Sequence, residues 1–401
     1  MVQPRPSRLA RLFAPAKRLG VVALVFDAGT SCVLLGLQFR AIELRAAPIT
    51  LGLLGAMPGV TAMAAVLLAG RASDRLGRRL AEVAAFICCI ASWLLMAGAT
   101  TTDQLLWLAA LTGVGLGFAW APLAAWMGDL SGGSRRLLNR YLGYYNLGWS
   151  SGLMVGPLLA GGLWDHSHDL VFILPVGLTL GCLGIVLTTP HGQRSELPPA
   201  EAAGAPRDVV WFFLAIAWLG GFAACFGRAT IGAIFPRLGH DLGFSALTIG
   251  QVTFASAGGE TLAFLGTRLT SRWRHRFSVQ AVTMALGGGA MLLAAWTSSP
   301  WVFAGCFAVM GAALAVTYAA AIQGALQASD TPGRLAGYTE AWFTAGLVLG
   351  PYLGGVAAQH WNLRTPLTLS ATVCGAALLA QVGWWLRYRL RRRTLPTPRP
   401  R

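Results

Sequence analysis

The chain has 401 residues, of which 55% are hydrophobic and only 11% charged. A water-soluble protein of this length would carry roughly a quarter charged residues, so composition excludes that class and points to a chain that crosses a membrane repeatedly. The formal net charge of +16 would suit a nucleic-acid-binding protein. The arginines, however, sit in short segments between apolar runs and at the two ends, with no basic face carrying interleaved aromatics.

Residues 1–18 form an Arg- and Pro-containing arm, expected to be cytoplasmic rather than a removable signal peptide, because no cleavage site follows the first apolar run. A span needs about 20 mostly apolar residues. Twelve segments meet that need: 19–41, 48–69, 80–99, 104–127, 141–163 and 170–189, then 209–235, 246–267, 278–296, 301–323, 335–358 and 366–386. The first six make an N-terminal bundle over 19–189 and the last six a C-terminal bundle over 209–386. The linker between them, 190–208, carries Pro198, Pro199 and Pro206 with Glu196 and Glu201, a composition without a core of its own. Residues 387–401 are a basic tail. The expected fold is an all-α membrane protein with twelve transmembrane helices in two pseudo-symmetric six-helix bundles.

Charge predicts the orientation. The N-terminal arm, residues 71–79, Arg135, Arg136, Arg140, Arg194, Arg207, the 268–276 segment, Arg334 and the tail all fall on one side. Only Arg45, Arg237 and Arg364 break the pattern. Such asymmetry predicts that this side, with both termini, is cytoplasmic. Tryptophans at span ends, among them Trp107, Trp296, Trp301 and Trp361, read as interfacial anchors. The seven cysteines, Cys32, Cys88, Cys89, Cys182, Cys225, Cys306 and Cys374, fall inside apolar runs. They lack zinc spacing and read as small buried hydrophobes.

Residues 70–79 form a charged stretch between the second and third apolar runs. Gly70 and Gly77 are expected to let the backbone turn there, and Asp74 is the one acid among the arginines. Gly70, Asp74, Arg75, Gly77, Arg78 and Arg79 match the loop signature of the major facilitator superfamily, which this stretch resembles. The two halves also repeat. Residues 140–144, Arg-Tyr-Leu-Gly-Tyr, precede Gly152, Gly156 and Pro157. Residues 334–338, Arg-Leu-Ala-Gly-Tyr, precede Gly346, Gly350 and Pro351, and the offset is 194 residues. Parallel halves related by an axis along the membrane normal are how transporters of that superfamily are built.

The Gly-x-x-x-Gly-Pro element of helix 5 resembles the superfamily's antiporter signature. Gly152 and Gly156, four apart, share a helix face that permits close approach, and Pro157 removes a backbone hydrogen bond. Together with Gly350 and Pro351 these are packing or pivot candidates. The arginine that the family often carries in helix 4 is replaced by Ala109, a departure from its usual proton-coupling pattern. Asp129, at the end of helix 4, is suited to pair with arginines of 75–79. The resemblance implies that this group of residues gates the cytoplasmic side. In the outward-open state Asp74 would meet the start of helix 11, near Leu335.

Asp27, Arg228 and Glu260 lie well inside spans, where a charge costs roughly 2.5–3.5 kcal/mol on insertion scales. Arg228 stays protonated and needs an anion. Two carboxylates are available and one suffices, which leaves the other free to exchange a proton; a fixed Asp27–Arg228 pair is the structural alternative. Helices 1, 4, 7 and 10 line the cavity in the family, which by resemblance adds Trp120 and Tyr318. Tyr145 is a further aromatic able to stack on a substrate.

The expected function is secondary active transport of a small molecule by alternating access, with proton-coupled efflux of an amphipathic compound favoured. Uptake of a sugar or organic anion, with Arg228 as the anion contact, is one alternative, and a transporter-like membrane sensor another. No nucleotide-binding loop of the Gly-x-x-x-x-Gly-Lys-Ser/Thr type occurs. A proton gradient is therefore the expected energy source, and no cofactor, metal, nucleic acid or enzymatic activity is expected. The partners are a small-molecule substrate and the lipid bilayer. The protein is expected to act as a monomer in a bacterial inner membrane.

Overall fold

The computed structural model describes residues 14–191, 207–270, 273, 275–328 and 332–394. They form twelve helices and, among the described residues, no strand. In chain order these are α1 (Pro15–Glu43), α2 (Pro48–Leu76), α3 (Arg78–Ala97), α4 (Thr102–Leu130), α5 (Arg135–Trp164) and α6 (Leu170–Thr188). The second set is α7 (Arg207–Asp241), α8 (Ala246–Leu269), α9 (Phe277–Trp296), α10 (Pro300–Ala328), α11 (Pro332–His360) and α12 (Thr365–Thr394). Each expected span is present, and most run several residues longer. Long apolar segments in lipid must satisfy their backbone groups internally, and the helix does so.

Local chemistry sets the ends. Proline opens α1, α2, α10 and α11, where its missing N–H is not needed. Thr101 and Gln104 form a reciprocal capping box at the start of α4, and Ser245 caps α8 through the Thr248 N–H. Two of the three arginines that break the charge asymmetry hold helix C-termini or neighbouring acids. Arg364 donates to the carbonyls of Ala295 and Thr297 at the end of α9, and Arg237 pairs with Asp241 at 3.0 Å. Arg40 does the same for α3 through the Ala97 carbonyl.

One expectation changes. The stretch 70–79 is not a ten-residue turn: residues 70–76 are the last turns of α2, and Gly77 alone breaks the helix, at φ +94°. That conformation favours glycine, whereas Gly70 is ordinary helix.

Ten of the twelve helices are long and apolar enough to cross a membrane. The two that fall short are α5 and α8, which carry polar residues and pack against each other between the halves. One apolar core centres on Phe26, Phe86 and Trp93 of the first half and takes in Ala233 and Ile234 of the second; the other centres on Phe235, Phe303 and Phe307 of the second half and takes in Phe39 and Ala160 of the first. The repeat seen in sequence is a repeat in packing. Gly148, Gly152 and Gly156 of α5 lie against α1, and Gly346 and Gly350 of α11 lie against α7.

The halves touch at the end of the molecule opposite Gly77. There Gly52 and Gly55 of α2 abut Pro351 and Gly355 of α11 and Ala233 of α7, and Gly161 of α5 abuts Ala246 and Leu247 of α8. Asp165, just after α5, accepts the Leu247 N–H of the other half at 3.3 Å. Toward the arginine-rich end, Gly70, Gly128, Gly143, Gly266 and Gly337 have no neighbour against them among the described residues. Tyr338 is 53% exposed there. Among the described residues, the close glycine contacts between the halves therefore gather at the end opposite Gly77.

Candidate transport site

Asp27 lies in the middle of α1, opposite Gly152 of α5, where an added Cβ would come within 2.9 Å of the Asp27 Cβ. That missing side chain lets the two helices close on each other and sets the carboxylate between the halves. Arg228 of α7 and Glu260 of α8 reach the same level from the other half, and Arg228 Nε stands 3.8 Å from Glu260 Oε2. Asp27 and Glu260 are 8% and 7% exposed and within electrostatic range of each other. The three intramembrane charges are thus one cluster. Arg228 is partnered by Glu260, while Asp27 forms no ion pair among the described residues.

Aromatic walls flank the cluster. On the first half, Trp120 of α4 packs on Phe26, the neighbour of Asp27, at 5.6 Å and stands edge-on to Tyr145 at 6.3 Å. The Tyr145 hydroxyl donates to the Trp120 carbonyl at 3.4 Å. On the second half, Tyr318 of α10 sits between Phe264 and Phe343. Trp149 and Phe264 meet edge-to-face at 6.4 Å and join the two walls.

Two carboxylates that the sequence reading passed over belong to this picture. Glu340 of α11 accepts the Tyr318 hydroxyl at 2.5 Å. Glu82 of α3 is completely buried. Both stand within five residues of the expected starts of their spans and read there as end charges. A signal for Glu82 was available: it shares the i, i+4, i+7, i+11 stripe of Phe86, Cys89 and Trp93, all fully buried.

The gate candidates gather around Arg78. Its Nε lies 3.0 Å from Asp129 Oδ2, and its Nη1 donates to Asp74 Oδ1 and Ser73 Oγ, each at 2.8 Å. One guanidinium thereby ties the ends of α2, α3 and α4. Arg79 donates to the Thr189 carbonyl after α6, and Arg75 is exposed. Gly156 and Gly350 seat α5 on α1 and α11 on α7, as Gly152 does. Pro157 and Pro351 lie inside their helices and face the other half, Pro157 toward Gly250 and Pro351 toward Gly52.

Among curated proteins, Multidrug resistance protein 1 of Bacillus subtilis (strain 168) is 26% identical over 357 residues, covering 85% of this chain and 89% of the relative. The class H tetracycline resistance protein of Pasteurella multocida is 25% identical over 58% of this chain and 60% of its own length. Among solved structures, the nucleoside transporter NupG superposes with a TM-score of 0.73 at 14% identity, over 93% of this chain and 99% of that one. A bacterial homologue of the human lysosomal transporter Spinster, inward-facing and occupied, gives 0.69 at 16% identity over 98% of each chain. At these identities the structural likeness establishes the fold. The family model described as Major Facilitator Superfamily matches residues 19–217 and again 217–401, so this chain belongs to the major facilitator superfamily and is a membrane transporter of small molecules.

Proposed function

We propose that the protein exports small amphipathic compounds in exchange for protons, with Asp27 as the group that binds and releases the proton. The observation that carries this reading is the division of labour in the charge cluster. Glu260 already partners Arg228, while Asp27 stands unpaired between two aromatic walls. A carboxylate in such a place is poorly solvated when charged, so it can take up a proton from one side and yield it to the other or to an arriving substrate. The aromatic walls suit a flat or apolar substrate body. Uptake of an organic anion is less well supported, because it would have to displace Glu260 from Arg228.

The positive-inside asymmetry supports placing the arginine-rich end in the cytoplasm, and the close contacts between the halves at the opposite end support reading this conformation as the inward-facing one. Alternating access then amounts to rocking the halves about the charge cluster. The similarity to multidrug and tetracycline resistance proteins supports efflux over uptake. Proteoliposomes with a panel of amphipathic compounds and an imposed pH difference test the reading. Accumulation that follows the pH difference is expected, and transport driven by ATP with no ion gradient would overturn it.

The cluster around Arg78 is proposed as the inner gate. In the outward-open state Asp74 would contribute about 1 kcal/mol at a helix N-terminus of the other half, enough to shift a balanced equilibrium several-fold. Asp74→Asn keeps the shape and removes the charge. It is expected to lower the transport rate several-fold at equal surface expression, and a wild-type rate would refute the role.

A further inference from the structure

The last turns of α12 present a charged and aromatic face that the proposed transport cycle does not use. At about 1.5 Å per residue, the 30 residues of this helix reach about 45 Å. The hydrocarbon core of a bilayer is about 30 Å thick. Residues from Trp384 onward therefore stand in the headgroup layer at the arginine-rich end. One side of this segment is packed. Gln381 donates to the Ile216 carbonyl of α7 at 2.9 Å, the Trp385 ring lies on Phe277 of α9 at 4.7 Å, and the Tyr388 ring lies on Phe212 of α7 at 4.1 Å. Steps of four and three residues keep these three side chains on one helix face. The other face is open. Trp384 and Leu386 are 44% and 50% exposed. Arg387 and Arg389 are exposed beside them, and so is Arg276, just before Phe277. Arg389 lies 4.2 Å over the Trp385 ring. No acid pairs with these three arginines among the described residues. Helices α9 and α12 carry no acid, and the acid of α7 at this end is Asp208. Residues 391–393 are three further arginines in the sequence.

We propose that this face is a binding surface for anionic phospholipid headgroups, with Arg276, Arg387 and Arg389 on the phosphate and Trp384 and Leu386 at the acyl boundary. Guanidinium groups offer paired N–H donors to phosphate oxygens. A cluster of arginines directly after a span is also drawn to an anionic membrane surface. The exposed apolar side chains decide between a lipid and a free anion. Phosphate in solution gains nothing from an indole or a leucine, whereas a lipid brings a headgroup and a chain to this depth together. The stacked rings tie occupancy to the fold. Through Tyr388 and Trp385, α12 is held on α7, the helix of Arg228, and on α9. Bound lipid therefore braces three helices of the second half. The surface requires only that α12 crosses the membrane, and it stands whether or not Asp27 couples protons.

Photocrosslinking of the full-length protein in nanodiscs tests the surface. Diazirine-bearing phosphatidylglycerol and phosphatidylcholine with matched chains are compared at equal mole fraction. Mass spectrometry reads adducts on residues 383–390 against those on α6, a helix without a charged residue. A preference for phosphatidylglycerol of about tenfold or more is expected on α12, with none on α6. Arg387→Gln is expected to lower that preference about fivefold, the equivalent of about 1 kcal/mol, and Arg387→Lys to retain most of it. Arg387 is exposed and pairs with no acid among the described residues, so both variants are expected to insert. Equal adduct yields for the two lipids on α12 overturn the proposal. So does a preference that survives intact when Arg276→Gln is combined with Arg387→Gln. Thermal unfolding in detergent gives a second reading. Added phosphatidylglycerol is expected to raise the wild-type midpoint and to have no effect on the double variant. The same rise from inorganic phosphate alone would mark a free-anion site and overturn the lipid assignment.

Discussion

Asp27→Asn is expected to abolish accumulation of substrate driven by a pH difference while leaving substrate exchange across the membrane largely intact. Asparagine keeps the size of the side chain and its place against Gly152, so packing of α1 on α5 survives and only the exchangeable proton is lost. The contrasting variant is Glu260→Gln, which leaves the mostly buried Arg228 side chain, 14% exposed, without its partner at 3.8 Å. Removing one member of a buried pair costs on the order of 3 kcal/mol, so Glu260→Gln is expected to insert or survive detergent poorly and to be rescued by Arg228→Gln. Counterflow and gradient-driven uptake in proteoliposomes, with detergent stability of the purified variants, separate the cases. Asp27→Asn that still accumulates substrate against its gradient would remove Asp27 from the coupling role. Asp27→Asn that misfolds and is rescued by Arg228→Gln would restore the fixed-pair alternative.

Two glycines four residues or more from any charge are expected to fail in different ways when given a methyl group. A Cβ at Gly156 would come within 2.5 Å of the Ser31 Cβ and 2.7 Å of the Ala28 carbonyl, both within the first half. That contact holds a bundle together whichever way the transporter faces, so Gly156→Ala should lower stability by about 1–3 kcal/mol, the usual cost of overpacking. A Cβ at Gly250 would instead meet the Pro157 carbonyl and Gly161 of the other half. The halves can relieve that clash by separating at this end. The same cost should therefore appear in Gly250→Ala as a shift of about tenfold or more away from the conformation described here. Distances between spin labels at the ends of α5 and α8 read the shift, and thermal unfolding in detergent reads the stability. A Gly250→Ala protein with unchanged distances and lowered stability would show that the contact is structural only.

The number and order of the helices, the two-fold repeat and the family were all legible in the chain, because each rests on a local property. A membrane span is an uninterrupted apolar run, and the Gly-Pro elements at an offset of 194 residues mark equivalent helices without reference to any partner. Asp27, Arg228 and Glu260 stood out for the same reason: a charge inside an apolar run is visible on its own. Helix ends were less legible. Residues 70–76 look like a loop by charge, yet α2 continues through them, since charged residues at the rim of a membrane form helix as readily as apolar ones.

Pairing was decided by the tertiary structure. Three charges with two possible pairings are indistinguishable in one dimension. Packing of α7 on α8 and of α1 on α5 puts Arg228 beside Glu260 and leaves Asp27 alone. Glu340 and Glu82 show the same limit from the other side. Near a span end a carboxylate is normally a solvated rim charge, and only the packing around it turns one into the partner of Tyr318 and buries the other completely. Which end is closed is likewise not a property of any segment, because it depends on where the glycines of α2 and α5 find the other half. The sequence by itself determined the spans, their repeat and the inventory of intramembrane charge, all of which follow from local composition. The partner of each charge, and the end at which the halves meet, required distant segments to come into contact.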